Sequence, residues 1–114
     1  MSIIMRKYYD EKMIMRPKFR YVLLESSEDL NLIDKESISE LRNRFRYIMG
    51  EQKYLDAEPK IKLVNKNRFV IKVNRGSEED IVLASCFIKD FSGKRIGLYT
   101  VKTSGSIRAV TKSI

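Results

Sequence analysis

The sequence predicts an α+β domain of the ferredoxin-like or RRM-like βαββαβ type, in which two helices cover one face of a four-stranded antiparallel sheet. Segments with strand patterning and segments with helical periodicity alternate in the order β-α-β-β-α-β. The 114 residues suffice for one core, and 43% hydrophobic with 33% charged residues is typical of a globular domain. In this fold the second face of the sheet is expected to be free for binding.

The first half of the domain is predicted to be strand, helix, strand. Residues 19–25 are rich in aromatic and apolar side chains, which favours a central strand. Ser37 and Glu40 have the spacing of a capping box. The apolar residues that follow recur at helical intervals: Ile38, Leu41, Phe45, Ile48 and Met49. Residues 59–64 then alternate apolar residues with lysines, which is typical of a strand with one solvated face.

The second half is predicted to be strand, helix, strand and a short C-terminal helix. Residues 65–67 supply turn residues and residues 68–73 resume extended patterning, which predicts a hairpin. Ser77 is expected to cap the next helix. The inner stripe of that helix is Ile81, Ala84, Ser85, Ile88 and Phe91. The last strand is predicted over residues 95–101, and a helical repeat of apolar residues follows: Ile107, Val110 and Ile114.

Composition disfavours an enzyme that works on its own. The chain has no histidine, which removes the commonest general base and metal ligand. Its single cysteine, Cys86, is predicted to be a buried structural thiol. We therefore expect no catalytic residue, no metal site and no cofactor bound by the protein itself.

The domain organisation is predicted to be simple. Residues 1–14 are expected to form a flexible N-terminal extension, and residues 15–114 a single domain that includes a basic C-terminal segment. The longest apolar run is far shorter than the roughly 20 residues of a membrane-spanning helix, and a secretory signal pattern is missing. The expected location is the cytoplasm.

The net charge of +8 is concentrated at the two ends of the sequence. Residues 1–20 hold six Lys or Arg and two acids, and residues 91–114 hold five Lys or Arg and no acid. Residues 21–90 are balanced, with twelve basic and thirteen acidic residues. Such segregation is typical of a face that binds a polyanion, so nucleic acid is the first hypothesis.

The stretch from Thr103 to Arg108 is the most specific candidate for a phosphate contact. Gly105 lets a backbone approach closely, while Ser104 and Ser106 offer hydroxyls and Arg108 a forked cation. The same residues are equally compatible with a plain turn and a solvated arginine. The other predicted RNA contacts are basic residues near or within the strands and at the C-terminus: Arg16, Lys18, Arg20, Lys60, Lys62, Lys72, Lys102 and Lys112. Arg68 is considered with them.

The third strand lacks the pattern of an RRM that stacks bases. Phe69 shares its parity with Ile71 and Val73 and is predicted to be core, and the basic-Gly-aromatic motif is missing. Recognition through phosphates and 2′-hydroxyls is therefore favoured over base stacking. Leu83 and Phe87 widen the apolar stripe of the second helix, which indicates either a well-buried helix or a pair that docks a partner protein.

The chain resembles the protein component 2 family of archaeal and eukaryotic ribonuclease P over roughly residues 15–111. The resemblance rests on Arg16-Pro17-Lys18-Phe19-Arg20-Tyr21-Val22-Leu23 and above all on Thr103-Ser104-Gly105-Ser106-Ile107-Arg108-Ala109-Val110. It implies a βαββαβ subunit that pairs with ribonuclease P protein component 3, with self-association in a heterotetramer left open. It also implies that the RNA, with Mg²⁺, is the catalyst that removes the 5′ leader from precursor tRNA.

The resemblance carries Ser104, Gly105, Ser106, Ile107 and Arg108 over as functional positions without assigning a role to each. The predicted function is thus a non-catalytic RNA-binding subunit of ribonuclease P. The alternative is a ferredoxin-like interaction or regulatory module whose basic face binds an acidic partner or a small anionic effector, because the fold alone does not fix the function.

Overall fold

The computed structural model describes residues 18–112, which form a sheet, its helices and a small separate hairpin. The elements in chain order are β1 (Phe19–Ser26), α1 (Lys35–Met49), α2 (Glu51–Ala57), β2 (Lys60–Asn65), β3 (Arg68–Asn74), α3 (Glu78–Phe87), β4 (Asp90–Phe91), β5 (Lys94–Arg95), β6 (Leu98–Ser104) and α4 (Ile107–Thr111). The predicted N-terminal extension, residues 1–14, lies outside the described residues.

The main sheet has the strand order β2-β3-β1-β6, and every neighbouring pair is antiparallel. β1 and β2 therefore run parallel to each other with β3 between them, which is the split βαβ arrangement. This topology confirms the predicted ferredoxin-like fold class, including the short C-terminal helix. β4 and β5 form a two-stranded hairpin that the sequence patterning did not predict.

One hydrophobic core lies between the sheet and helices α1 and α3. Alternate residues of the strands point into it, with Val22 and Leu24 from β1 and Phe69 from β3 all at most 1% exposed. The predicted inner stripe is confirmed on α3 for Ile81, Ala84 and Ser85, which are buried. Ile88 and Phe91 are buried as well, but the helix ends at Phe87, so Ile88 follows it and Phe91 belongs to β4.

The start of α1 differs from the predicted capping box. The cap is Asp34, whose Oδ1 accepts a hydrogen bond from the Ser37 amide at 2.8 Å. The Ser37 hydroxyl donates to the Asp34 carbonyl at 3.0 Å, and the Glu40 carboxylate accepts from Ser92 instead of from the helix start. The hydrogen bond from Ser37 holds the pKa of Asp34 below its usual value. The earlier cap lets the helix begin at Lys35.

A second helix, α2, follows α1 where the sequence predicted a connection to the next strand. Gly50 joins the two with φ of 85°, a left-handed backbone that glycine adopts without steric cost. Arg46 and Glu51 bridge the corner through two hydrogen bonds of 2.8 and 2.6 Å. These bonds lower the pKa of Glu51 and raise that of Arg46. The last strand lies three residues later in the sequence than predicted, since β6 begins at Leu98 and the prediction began at residue 95.

Two expectations about burial were wrong. Cys86 is exposed, because it lies on the outer side of α3 with its Sγ only 3.4 Å from the carbonyl of Val82 in the preceding turn. The sheet face opposite the core is not wholly free either. Val110 of α4 packs there against Leu23 and Val70, and all three side chains are completely buried.

Candidate nucleic-acid interface

The open face, defined as the sheet face opposite α1 and α3, carries a row of polar and basic side chains across all four strands. Lys60 of β2 lies opposite Lys72 of β3, Lys72 lies opposite Tyr21 of β1, and Tyr21 lies opposite Ser104 of β6. Directly opposed residues project to the same side of a sheet. The strand register thus brings together predicted contacts that are up to 44 positions apart in the sequence.

Three further cations extend this surface towards the C-terminus. Lys102 lies opposite Leu23 and is exposed, and Arg108 and Lys112 are exposed on and after α4, which covers the centre of the same face. We call the set Lys60, Lys72, Lys102, Arg108 and Lys112 the basic face. Among residues 18–112, these five cations have no ion-pair partner.

Acidic residues are nearly excluded from the main sheet. Its four strands contain a single carboxylate, Glu25, which lies opposite Arg68. Arg68 Nε donates to Glu25 Oε1 at 3.0 Å, so this acid is already neutralised. The positive potential of the basic face is therefore not offset by neighbouring strand residues. Arg68, weighed as an RNA contact from sequence, is held in this pair.

Phe19 is a candidate contact that the sequence reasoning missed. The ammonium of Lys72 lies 3.8 Å from the centre of its ring, a cation–π contact that holds the lysine at the end of β3. Phe19 is 37% exposed and shares the open-face parity of Tyr21 and Leu23. That parity in the first strand was the signal that could have identified it.

The Ser-Gly-Ser turn stands at the edge of the same row. The Ser106 amide donates to the Ser104 hydroxyl at 3.2 Å, and Ser106 occupies the cap of α4 without a side-chain hydrogen bond to the helix. Gly105 between them is half-buried. Since α4 has only five residues, its dipole is small, and the turn's capacity for an anion rests on the serine hydroxyls and Arg108.

Four predicted contacts are not assembled with this group. Arg16 lies outside the described residues. Lys18 precedes β1, and its carbonyl accepts a hydrogen bond from the Arg75 amide at 3.0 Å. Arg20 lies opposite Val73 on the core side, with its Nε buried and without a hydrogen-bond partner in the described chain. Lys62 is exposed at the irregularity between Ile61 and Leu63 in β2.

The proposed partner residues lie on the helical layer, away from the basic face. Leu83 and Phe87 are 58% and 60% exposed, so they are not part of a fully buried helix. They line a groove of about 300 Å³ together with Ile48, Met49, Lys53, Asp80 and Ala84. A 3.7 Å ion pair between Lys53 and Asp80 borders it. An apolar groove on an otherwise charged layer is typical of a protein contact.

The model of the Rpp14/Pop5 family matches residues 20–114, which is most of the sequence. The chain belongs to the Rpp14/Pop5 family. This is a family of ribonuclease P protein subunits, so the chain is a subunit of an RNA-processing ribonucleoprotein. The family match spans the basic face, the Ser-Gly-Ser turn and the apolar groove.

A chain in a cryo-EM structure of yeast ribonuclease MRP shares the fold of this Rpp14/Pop5 protein. The TM-score is 0.62 at 13% sequence identity, covering 85% of this chain and 91% of the other. At that identity the likeness concerns the fold alone. No curated protein sequence matches the chain. None of the helices between residues 18 and 112 is long and apolar enough to cross a membrane.

Proposed function

We propose that this subunit corresponds to ribonuclease P protein component 2 and binds the catalytic RNA through its basic face without taking part in the chemistry. The supporting observation is a set of five cations that make no ion pair within residues 18–112, on and around a sheet whose single carboxylate is paired with Arg68. In this proposal the RNA, with Mg²⁺, removes the 5′ leader of precursor tRNA in the cytoplasm. The protein contributes binding energy and charge neutralisation.

The mechanism follows from the electrostatics of RNA. Two RNA molecules repel each other through their phosphates, and cations fixed on a protein replace mobile counterions and release them to solution. Lys72 and Lys60 hold adjacent places on neighbouring strands, so they can contact successive phosphates of one backbone. Hydroxyls of Ser104 and Ser106 donate to phosphate oxygens, and Arg108 can hold one with two N–H groups.

Burial of Leu23 and Val70 beneath Val110 supports backbone recognition over base reading. In RRM domains the centre of the open face offers stacking aromatics, whereas here it is covered by α4. Side chains that surround the covered centre are mostly basic or hydroxylated. Contacts from them reach phosphates and sugars, which position an RNA without specifying its sequence.

A precursor tRNA cleavage assay tests this function. The cognate RNA is assayed alone, with this protein and component 3, and with the variant Lys72→Gln/Lys102→Gln in place of the wild type. We expect the wild-type pair to raise cleavage at limiting Mg²⁺ and the variant to lose most of that gain. Lys89→Gln, a change at an exposed lysine that follows α3, is the control for loss of charge outside the main sheet. Equal stimulation by all three proteins would refute the proposal.

We further propose that component 3 docks in the groove lined by Leu83 and Phe87. Exposure of both side chains predicts that Leu83→Ser and Phe87→Ser leave the melting temperature unchanged while weakening the complex. Ile33→Ser is the control, because Ile33 is 88% exposed and does not line this groove. The affinity for component 3 is measured by titration calorimetry. Equal affinities of all variants would show that component 3 docks elsewhere.

A further inference from the structure

A second groove runs along β2, at the edge of the sheet and on the side of the helices. It has a volume of about 500 Å³, and its lining comes from α1, α2 and β2. The floor is largely apolar and is formed by Ile38, Tyr54, Leu55, Pro59 and Ile61. Leu55 is 56% exposed, so the groove presents apolar surface to solvent.

The rim of this groove is basic. Arg42, Lys60 and Lys62 line it together with one acid, Glu58. None of the four makes an ion pair within residues 18–112. Arg42 Nε donates to the Tyr54 hydroxyl at 3.2 Å, which holds the guanidinium at the rim and leaves its other nitrogens available. The groove therefore has an apolar floor and an excess of positive charge.

The backbone of β2 adds hydrogen-bonding capacity. β2 pairs with β3 along one edge, and no strand of the described chain pairs with its other edge. Lys60 and Lys62 stand on this strand, and the pairing with β3 is irregular between Ile61 and Leu63. Lysines and irregular pairing on an edge discourage joining to a second copy, because like charges would face each other. The same lysines attract a strand that carries carboxylates.

We propose that the β2 groove docks an extended acidic segment of a protein partner, which adds a strand to the sheet. Alternate residues of an added strand point to opposite sides, so apolar ones enter the groove beside Leu55 while acidic ones on the other side meet Lys60. Arg42 adds positive charge on the groove side. Nucleic acid fits less well, because Tyr54 is half-buried and the guanidinium of Arg46 already lies over its ring, 5.9 Å from the ring centre, where a base would stack. This site goes beyond the proposed RNA binding and shares only Lys60 with the basic face.

The test is an amide NMR titration of the full chain with three probes. They are a ten-residue peptide of alternating Glu and Val, its counterpart of alternating Lys and Val, and a ten-nucleotide oligouridylate. We expect the Glu peptide to shift β2 amides, to slow hydrogen exchange at those not bonded to β3, and to bind about tenfold more tightly than the Lys peptide.

Variants outside the basic face separate this site from RNA binding. Arg42→Glu and Leu55→Ser are expected to weaken the Glu peptide about tenfold, whereas Lys89→Glu and Ile33→Ser leave it unchanged. Failure of the Glu peptide to perturb β2, or equal binding of both peptides, overturns the proposal. Shifts of β2 amides by oligouridylate alone would assign the groove to nucleic acid. Loss of RNA binding in Lys72→Gln/Lys102→Gln, whose residues do not line the groove, would leave the peptide result intact.

Discussion

Removing three strand lysines of the basic face should flatten the salt dependence of RNA binding by a calculable amount. The perturbation is Lys60→Gln/Lys72→Gln/Lys102→Gln. These lysines lie on β2, β3 and β6 and make no ion pair in the described chain, so glutamine removes charge without leaving a carboxylate unpaired. Lys60 and Lys102 are exposed and Lys72 is half-buried, so the fold is expected to survive.

The magnitude follows from the number of phosphates contacted. If each of the five basic-face cations meets one phosphate of single-stranded RNA, log K falls against log salt with a slope of about −3.5, and the triple variant has a slope of about −1.4. Between about 50 and 200 mM salt the wild type then loses about 100-fold in affinity and the variant only about 7-fold. For duplex RNA the wild-type slope is about −4.5.

The assay is fluorescence anisotropy of a labelled fragment of the catalytic RNA over that range of salt concentration. Lys89→Gln removes one positive charge at an exposed lysine outside the main sheet and should keep the wild-type slope. A triple variant whose slope equals that of the wild type would show that the strand lysines do not meet phosphates. A slope that flattens by about 0.7 in Lys89→Gln, a third of the change in the triple variant, would show that only net charge matters, and the argument from the register would fail.

Three further outcomes are expected. Val110→Ala removes two buried methyl groups, worth about 1.6 kcal/mol of docking at about 0.8 per group, and hydrogen exchange should quicken in α4 while the main core stays protected. Asp34→Asn should lower the melting temperature above pH 3.8 and have no effect well below that pH. The pKa of Asp34 is lower in the folded protein than its usual 3.8, so the ionised carboxylate stabilises the fold above pH 3.8, and this stabilisation is lost as the pH falls through the folded-state pKa. In Gly97→Ala the new Cβ would lie 2.7 Å from the Tyr99 hydroxyl, so the ring should move, with a change in its NMR signals and little loss of stability. Unaltered α4 exchange, a pH-independent Asp34→Asn effect, or unchanged Tyr99 signals would each contradict the corresponding argument.

Much of the fold follows from periodicity in the sequence. Ile81, Ala84 and Ser85 were predicted as the inner stripe of α3, because a helix packed on a sheet must bury one continuous stripe. The predicted stripe ran too far, since Ile88 and Phe91 are buried beyond the end of the helix. Phe69 was likewise predicted as core from its parity with Ile71 and Val73. Element boundaries were less predictable, since Asp34 competes with Ser37 as a cap and only the packed structure shows which one the helix uses.

The candidate site was predictable as a set of residues but not as a geometry. Charge segregation and the Ser-Gly-Ser stretch identified most of the basic face, yet Arg20 and Lys72 look alike in sequence. The register alone places Lys72 beside Tyr21 and turns Arg20 to the core side. Exposure of Leu83 and Phe87 was also unpredictable, because an apolar stripe has the same pattern whether a helix is buried by its own domain or by another protein.

The packing of α4 on the sheet through Val110 has a consequence for which changes in the base sequence of the bound RNA are tolerated. The covered centre offers no ring to a base and leaves only Phe19 partly exposed at the margin, so exchanging one base for another should change little as long as the path of the backbone is kept. Changes to that path should matter instead, whether made by deleting a bulge or by replacing phosphate oxygens. If the proposed binding mode holds, the RNA that fits this subunit is defined by its shape, and its sequence can drift where that shape is preserved.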